Sequence, residues 1–170
     1  MSLESPAQRY AAAKKRGRGP NFAAFESTFD FVLDDFQREA CLALEKGDSL
    51  LVAAPTGAGK TIVGEFAAHL AITNGTKCFY TTPIKALSNQ KYAEFCEIYG
   101  HQNIGLLTGD SSINGDADVV VMTTEVLRNM IYVRSPALEK LQYVVLDEVH
   151  YLSDKFRGPT WDRKSTRLNS

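Results

Sequence analysis

Ala54-Pro55-Thr56-Gly57-Ala58-Gly59-Lys60-Thr61 is the stretch on which the fold of this chain turns. It follows an apolar run at residues 49–53, read as a strand, and opens residues 60–73, read as a helix. A phosphate-binding loop needs that strand–turn–helix context. Gly57 and Gly59 let backbone N–H groups turn inward around phosphate oxygens, and the helix N-terminus adds partial positive charge. Lys60 can reach β- and γ-phosphates, and the Thr61 hydroxyl can hold Mg²⁺. Thr56 and Ala58 complete the candidate nucleotide-binding set. The first position of the usual pattern is Ala54 rather than glycine. A plain strand-to-helix turn would leave Lys60 unexplained.

Strands and helices alternate outward from this loop. Residues 35–46 show helical spacing at Phe36, Ala40 and Ala43/Leu44, with an aspartate as cap and Gly47 as stop. Residues 77–82, 103–107, 119–123 and 143–147 read as strands, and 84–99 and 124–131 as helices. Strands apolar on both faces, alternating with helices, predict an α/β fold with a parallel sheet and helices on both faces. Ligands on such sheets bind beyond the carboxyl ends of the strands. Residues 1–28 have no period and read as a basic arm, with order expected from about Phe29.

The 170 residues allow one ordinary domain. Hydrophobic residues at 44% and charged residues at 23% exclude wholesale disorder. No run approaches the roughly 18 apolar residues of a membrane span, and no apolar h-region follows the N-terminus. A cytoplasmic protein without a membrane partner is expected. Cys41, Cys78 and Cys96 lack metal-ligand spacing and read as reduced thiols packed as small hydrophobes. The net charge of −1 is uneven: residues 1–18 carry +4 and the remainder −5. A short Lys/Arg cluster can touch nucleic acid, but more often it is a solvated tail.

A second signal is Val144-Val145-Leu146-Asp147-Glu148-Val149-His150. An apolar strand delivers two adjacent carboxylates at its carboxyl end. Asp147 can hold Mg²⁺, and Glu148 can polarise an attacking water. Alone, such a pair is usually a solvated strand end. Beside a phosphate loop it becomes the second half of an ATP-hydrolysing site, with Lys60, Asp147 and Glu148 as the catalytic set.

These two segments resemble motifs I and II of superfamily-two helicases of the DExH type. Phe31-Val32-Leu33-Asp34-Asp35-Phe36-Gln37 resembles the Q-motif region of the Ski-like DEVH-box RNA helicases, including their bacterial members. Thr82-Pro83-Ile84-Lys85-Ala86-Leu87-Ser88-Asn89-Gln90-Lys91 resembles that group's motif Ia, Thr108-Gly109-Asp110 its motif Ib, and Thr123-Thr124-Glu125-Val126-Leu127-Arg128 its motif Ic. The Gln37 amide suits an adenine edge, or it is a helix-surface glutamine. Phe31 could stack on the adenine or pack in the core. Thr82-Pro83 and Thr123-Thr124 end strands and open helices, which makes phosphate seats or simple caps. Gly109 permits close approach of a sugar-phosphate chain.

The resemblance implies a RecA-like P-loop NTPase domain using ATP and Mg²⁺, in a motor that moves 3′-to-5′ on single-stranded RNA. The nucleic-acid contacts would be Pro83, Lys85, Gly109, Thr123 and Thr124, with His150 coupling the sites. A DNA helicase or repair translocase, or a P-loop NTPase without nucleic acid, are the alternatives. A ribonuclease complex is an implied partner of the group. Residues 29–162 are expected to be the first lobe, incomplete at its C-terminus. Motif III and a second RecA-like lobe with its arginine fingers are not in the sequence. Loss of the motif III strand would leave two inner strand edges unpaired, so poor folding of the segment alone is expected. Residues 163–170 depart from the family pattern and read as a non-native, adapter-type tail.

Overall fold

A computed structural model of the chain describes residues 19–55 and 57–148. It forms two compact units, one ending at Asn74 and one beginning at Gly75.

Among the described residues of the first unit there are three helices: α1 (Pro20–Glu26), α2 (Asp35–Glu45) and α3 (Thr61–Asn74). Asp34 caps α2, as its sequence position suggested, and Gly47 follows it with φ +91°. Helix α1 lies inside the stretch read as an arm, so order begins earlier than Phe29. The physical reason is Phe22 and Phe25. Both are buried, and their rings meet Phe66 of α3 at 5.8 and 5.0 Å. The Glu45 carboxylate accepts the N–H groups of Asn21 (2.9 Å) and Phe22 (3.2 Å), which satisfies orphan donors at the start of α1. Arg38 pairs with Glu26 at 3.1 Å, tying α2 to α1. Burial, chiefly, pushes the Cys41 thiol up to about 12, while Glu26 and Glu45 add to the shift.

The expected strand at residues 49–53 does not form, and Leu51 is 83% exposed. Apolar character alone does not make a strand. The run needs a neighbour to share its N–H and C=O groups, and it finds none among the described residues.

Five strands make the sheet of the second unit, in the order β3-β2-β4-β1-β5. They are β1 (Lys77–Thr82), β2 (Ile104–Leu107), β3 (Ser112–Ile113), β4 (Val119–Thr123) and β5 (Leu141–Leu146). β2, β4, β1 and β5 run parallel, whereas the two-residue β3, unforeseen in the sequence, pairs antiparallel with β2. Helix α4 (Lys85–Tyr99) follows β1, and α5 (Thr124–Tyr132) follows β4. Phe79 packs with Val120, Met122 and Leu127 of α5, while its neighbour Tyr80 meets Phe95 of α4 at 5.2 Å. Successive strand residues point to opposite faces, so the two helices cover opposite faces. The α/β expectation holds. β1 and β4 are buried almost throughout, and β5, the edge, alternates between half-buried and exposed.

The α1 packing is directly testable. Phe22→Ala should lower the unfolding free energy by about 3–5 kcal/mol, the range for a buried phenylalanine. Urea unfolding of the variant checks it, and a loss under about 1 kcal/mol would show that α1 is not part of the core.

Candidate functional site

In the first unit the candidate phosphate loop is built by its own backbone. Gly57 and Gly59 take φ of +85° and +71°, conformations that side chains other than glycine resist. The N–H of Ala58 donates to Pro55 O (3.1 Å) and that of Ile62 to Gly59 O (3.3 Å), which turns the chain into α3. The Lys60 ammonium donates to Ala54 O at 2.8 Å, holding its stem back along the loop. Thr61 is the first residue of α3. Thr56 lies outside the described residues.

Gln37 is where the sequence reading and the geometry part. It is 4% exposed, and its Nε2 donates to Ala58 O (3.3 Å) and Gly59 O (3.0 Å). Its Oε1 accepts the Asp34 N–H at 2.8 Å. It is therefore no surface glutamine. Both ends of the buried amide are engaged by the chain itself, as burial of an amide requires. A Cβ on Gly59 would stand 2.5 Å from Gln37 Nε2, so glutamine and loop fit each other closely. To read a base edge, Gln37 would have to exchange these bonds. Phe31 is 57% exposed and leans on Phe29 at 5.2 Å, which excludes core packing and leaves ring surface open to a planar ligand.

In the second unit, four parallel strands bring their carboxyl ends to one edge. Pro83 and Lys85 follow β1, Thr108-Gly109-Asp110 follows β2, Thr123 and Thr124 follow β4, and Asp147-Glu148 follows β5. Hydrogen bonds join them sideways. Lys85 pairs with Asp110, whose other oxygen accepts from Thr108 Oγ1 at 3.0 Å. Thr124 Oγ1 donates to Thr82 O at 3.1 Å, and the Asp147 N–H donates to Thr81 O at 3.0 Å. Thr123 is the residue before α5 and makes no side-chain cap bond, so simple capping does not account for its hydroxyl. A Cβ on Gly109 would meet nothing within 4 Å, so the chain's own packing does not demand glycine there. Glu148 takes φ +53°, the left-handed region, just after the strand. His150 lies outside the described residues.

The sequence reading missed three participants. Asp110 ends the Thr108-Gly109-Asp110 segment, and its carboxyl is held below the usual aspartate range by the Lys85 ammonium and the Thr108 hydroxyl. Tyr80 donates to Asp147 Oδ2 at 2.8 Å. Ser88, fully buried, shares a 2.7 Å hydrogen bond with Thr82 and closes the turn into α4. Their signal in sequence was only proximity to a motif. Among the described residues no cluster of three or more metal-ligating side chains is present. Thr61, in the first unit, carries a hydroxyl oxygen and Asp147, in the second, a carboxylate; oxygen donors of this kind suit hard cations such as Mg²⁺.

Gln37 supplies a check on the loop. Gln37→Ala would leave the Ala58 and Gly59 carbonyls and the Asp34 N–H without this partner. Stability should fall by about 1–3 kcal/mol, and amide exchange at residues 57–60 should quicken. Unchanged exchange there would show that the amide does not brace the loop.

The DEAD/DEAH box helicase family model matches residues 34–170. The chain is 65% identical over 144 residues to the probable helicase HelY of Mycobacterium tuberculosis (strain ATCC 25618 / H37Rv), covering 85% of this chain and 16% of that protein. It is 51% identical over 135 residues to the antiviral helicase SKI2 of Saccharomyces cerevisiae, covering 79% and 10%. That similarity agrees with the Ski-like branch expected from the motifs. The chain thus spans about a sixth or less of the length of these relatives. A crystal structure of a hypothetical ATP-dependent RNA helicase from Sulfolobus tokodaii superposes with a TM-score of 0.62 at 21% identity, over 85% of this chain and 45% of that one, which is a likeness of fold. The match from Asp34 onward covers most of the sequence, and the chain belongs to the DEAD/DEAH box helicases.

Proposed function

We propose that this chain is the ATP-binding lobe of an ATP-dependent RNA helicase that translocates on single-stranded RNA. The observation that carries the reading is the shared edge. Residues of motifs Ia, Ib, Ic and II leave the parallel sheet on one side and are joined there by hydrogen bonds. The names of similar proteins support RNA as the track. The chloroplastic protein DExH15 of Arabidopsis thaliana, 52% identical over 142 residues, is an ATP-dependent RNA helicase, and so is mtr4 of Schizosaccharomyces pombe at 46% over 135 residues.

The roles follow from chemistry. Lys60 would exchange Ala54 O for phosphate oxygens, a swap of one hydrogen bond for a charge-assisted one. Loop N–H groups and the α3 terminus would hold the remaining phosphate charge. Thr61 and Asp147 would hold Mg²⁺, which when bound neutralises charge on the β/γ-phosphate oxygens. Glu148 would orient the attacking water and accept its proton. Phe31 offers its exposed ring to the base. The Thr123 and Thr124 hydroxyls, the α4 and α5 termini and the open side of Gly109 would seat RNA phosphates. Such contacts read backbone, so little sequence preference is expected.

Hydrolysis tests the first half of this reading. In the full-length protein, Glu148→Gln should retain ATP yet slow turnover by roughly 10²–10⁴-fold, since an amide cannot take the proton. Lys60→Ala should lose both binding and turnover. RNA-stimulated phosphate release and nucleotide binding give the readouts. Wild-type turnover in Glu148→Gln would remove the assigned role, and stimulation by single-stranded DNA but not RNA would favour a DNA translocase.

The track has its own test in the Lys85–Asp110 pair. Lys85→Ala should weaken RNA binding and flatten the log–log salt slope by about 0.7. Asp110→Asn should strengthen binding severalfold, because the competing carboxylate is gone. The carboxyl is depressed in the fold, so the pair persists above the ordinary aspartate range. It is lost only as pH falls through the lower folded value. Filter binding on two unrelated RNAs reads this out. Equal weakening by both substitutions would mean that the pair acts as one structural unit.

A further inference from the structure

We infer that Tyr80 is the positioning residue for Asp147, and that it links the helix after motif Ia to the metal-binding carboxylate. The inference rests on the reading of Asp147 as a Mg²⁺ ligand.

Tyr80 lies in the middle of β1 and is 1% exposed. A tyrosine buried that deeply must place its hydroxyl on an acceptor. The acceptor is Asp147 Oδ2 at 2.8 Å, 67 positions along the chain. Strand register makes the meeting unavoidable. β5 runs parallel to β1 with Tyr80 opposite Val145 and Thr81 opposite Leu146. The next residue, Asp147, therefore falls opposite Thr82, on the same face as Tyr80 and one step along.

One backbone bond anchors Asp147 and two bonds hold its carboxylate. The Asp147 N–H donates to Thr81 O at 3.0 Å, Tyr80 holds Oδ2, and the Glu148 N–H donates to Oδ1 at 2.9 Å. A carboxylate has about four lone-pair sites, so each oxygen keeps capacity for the cation or its water. Without the hydroxyl, Oδ2 would lose its only partner from β1, and the half-buried side chain would gain rotamer freedom. Aspartate χ2 is broad, so that freedom is real.

The ring end of Tyr80 is gripped from α4. Phe95 meets it edge-on at 5.2 Å, and the Lys91 ammonium lies 5.9 Å from its centroid. Lys91 is largely buried and ion-paired with Glu94. α4 also begins with Lys85, proposed to touch RNA. A shift of α4 on the track would move the Tyr80 ring, and the hydroxyl would carry it to Asp147.

The test uses the full-length protein. Tyr80→Phe keeps the ring and its packing and removes one oxygen. Loss of a hydrogen-bond partner behind a metal ligand typically costs about 10–100-fold in metal affinity or activity. Mn²⁺ titration by electron paramagnetic resonance with bound ADP should weaken within that range. Metal-free ADP affinity should stay at the wild-type value, and the melting temperature should move by no more than a few degrees. Asp147→Asn separates the two claims. If it leaves Mn²⁺ binding unchanged, the ligand reading fails. If it abolishes Mn²⁺ binding while Tyr80→Phe matches wild type, the positioning role alone fails. A 3-fluorotyrosine at position 80 gives a readout independent of that variant's folding. Its ¹⁹F resonance should move on Asp147→Asn, and a resonance indifferent to that change would overturn the inference.

Discussion

Parallel, in-register pairing of β1 with β4 and β5 is the constraint on which the second unit depends. Phe79 lies opposite Val120 on one side and Val144 on the other; the β1–β4 register is unbroken from Cys78 to Thr82, and the β1–β5 register from Cys78 to Thr81, after a shift between Lys77 and Cys78. Parallel strands share direction, so every following loop leaves from one edge. β1 is buried along nearly its whole length, so its carbonyls need partners inside the chain. Thr81 O takes the Asp147 N–H, and Thr82 O takes the Thr124 hydroxyl. The same requirement that completes the strand's hydrogen bonds also assembles segments 42 to 66 residues apart.

The polar groups proposed to be functional in both units are held on neighbours of the chain rather than left loose. Lys60 rests on Ala54 O, the Gln37 amide on Ala58 O and Gly59 O, and Lys85 on Asp110. Exchanging one hydrogen bond for another has a net cost of about 1 kcal/mol or less, so such groups stay ordered without being locked. Gln37 goes further. It couples the entry of α2 to the loop backbone, because the same amide serves Asp34 and Gly59. The Lys85–Asp110 pair puts a carboxylate among the proposed phosphate seats, which moderates a surface that would otherwise attract any polyanion.

Edges behave differently from the centre. β5 has a neighbour on one side only among the described residues, and its residues alternate between half-buried and exposed. Residues 49–53 are as apolar as β4 yet carry no ladder. Hydrophobic composition sets the capacity of a segment to be buried, and pairing sets whether it becomes a strand.

The phosphate loop was legible because its need is local: Gly57 and Gly59 supply left-handed backbone, and Lys60-Thr61 starts a helix. β1, β2 and β4 were legible because their apolar runs are flanked by turn residues and, unlike residues 49–53, also find parallel neighbours. Helix α1 escaped notice because seven residues hold barely two turns of period, although Gly19-Pro20 before Phe22 and Phe25 was a usable sign. By itself the sequence determined the turn into α3, the residue types at each strand end and the succession α2, α3, β1, α4, β2, β4, α5, β5, but neither α1 nor β3. Tertiary structure alone decided that Tyr80 meets Asp147, that Gln37 grips the loop, that Lys85 is paired and that residues 49–53 stay unpaired. Each of these depends on register or burial between segments distant in the chain, and no local pattern encodes a partner.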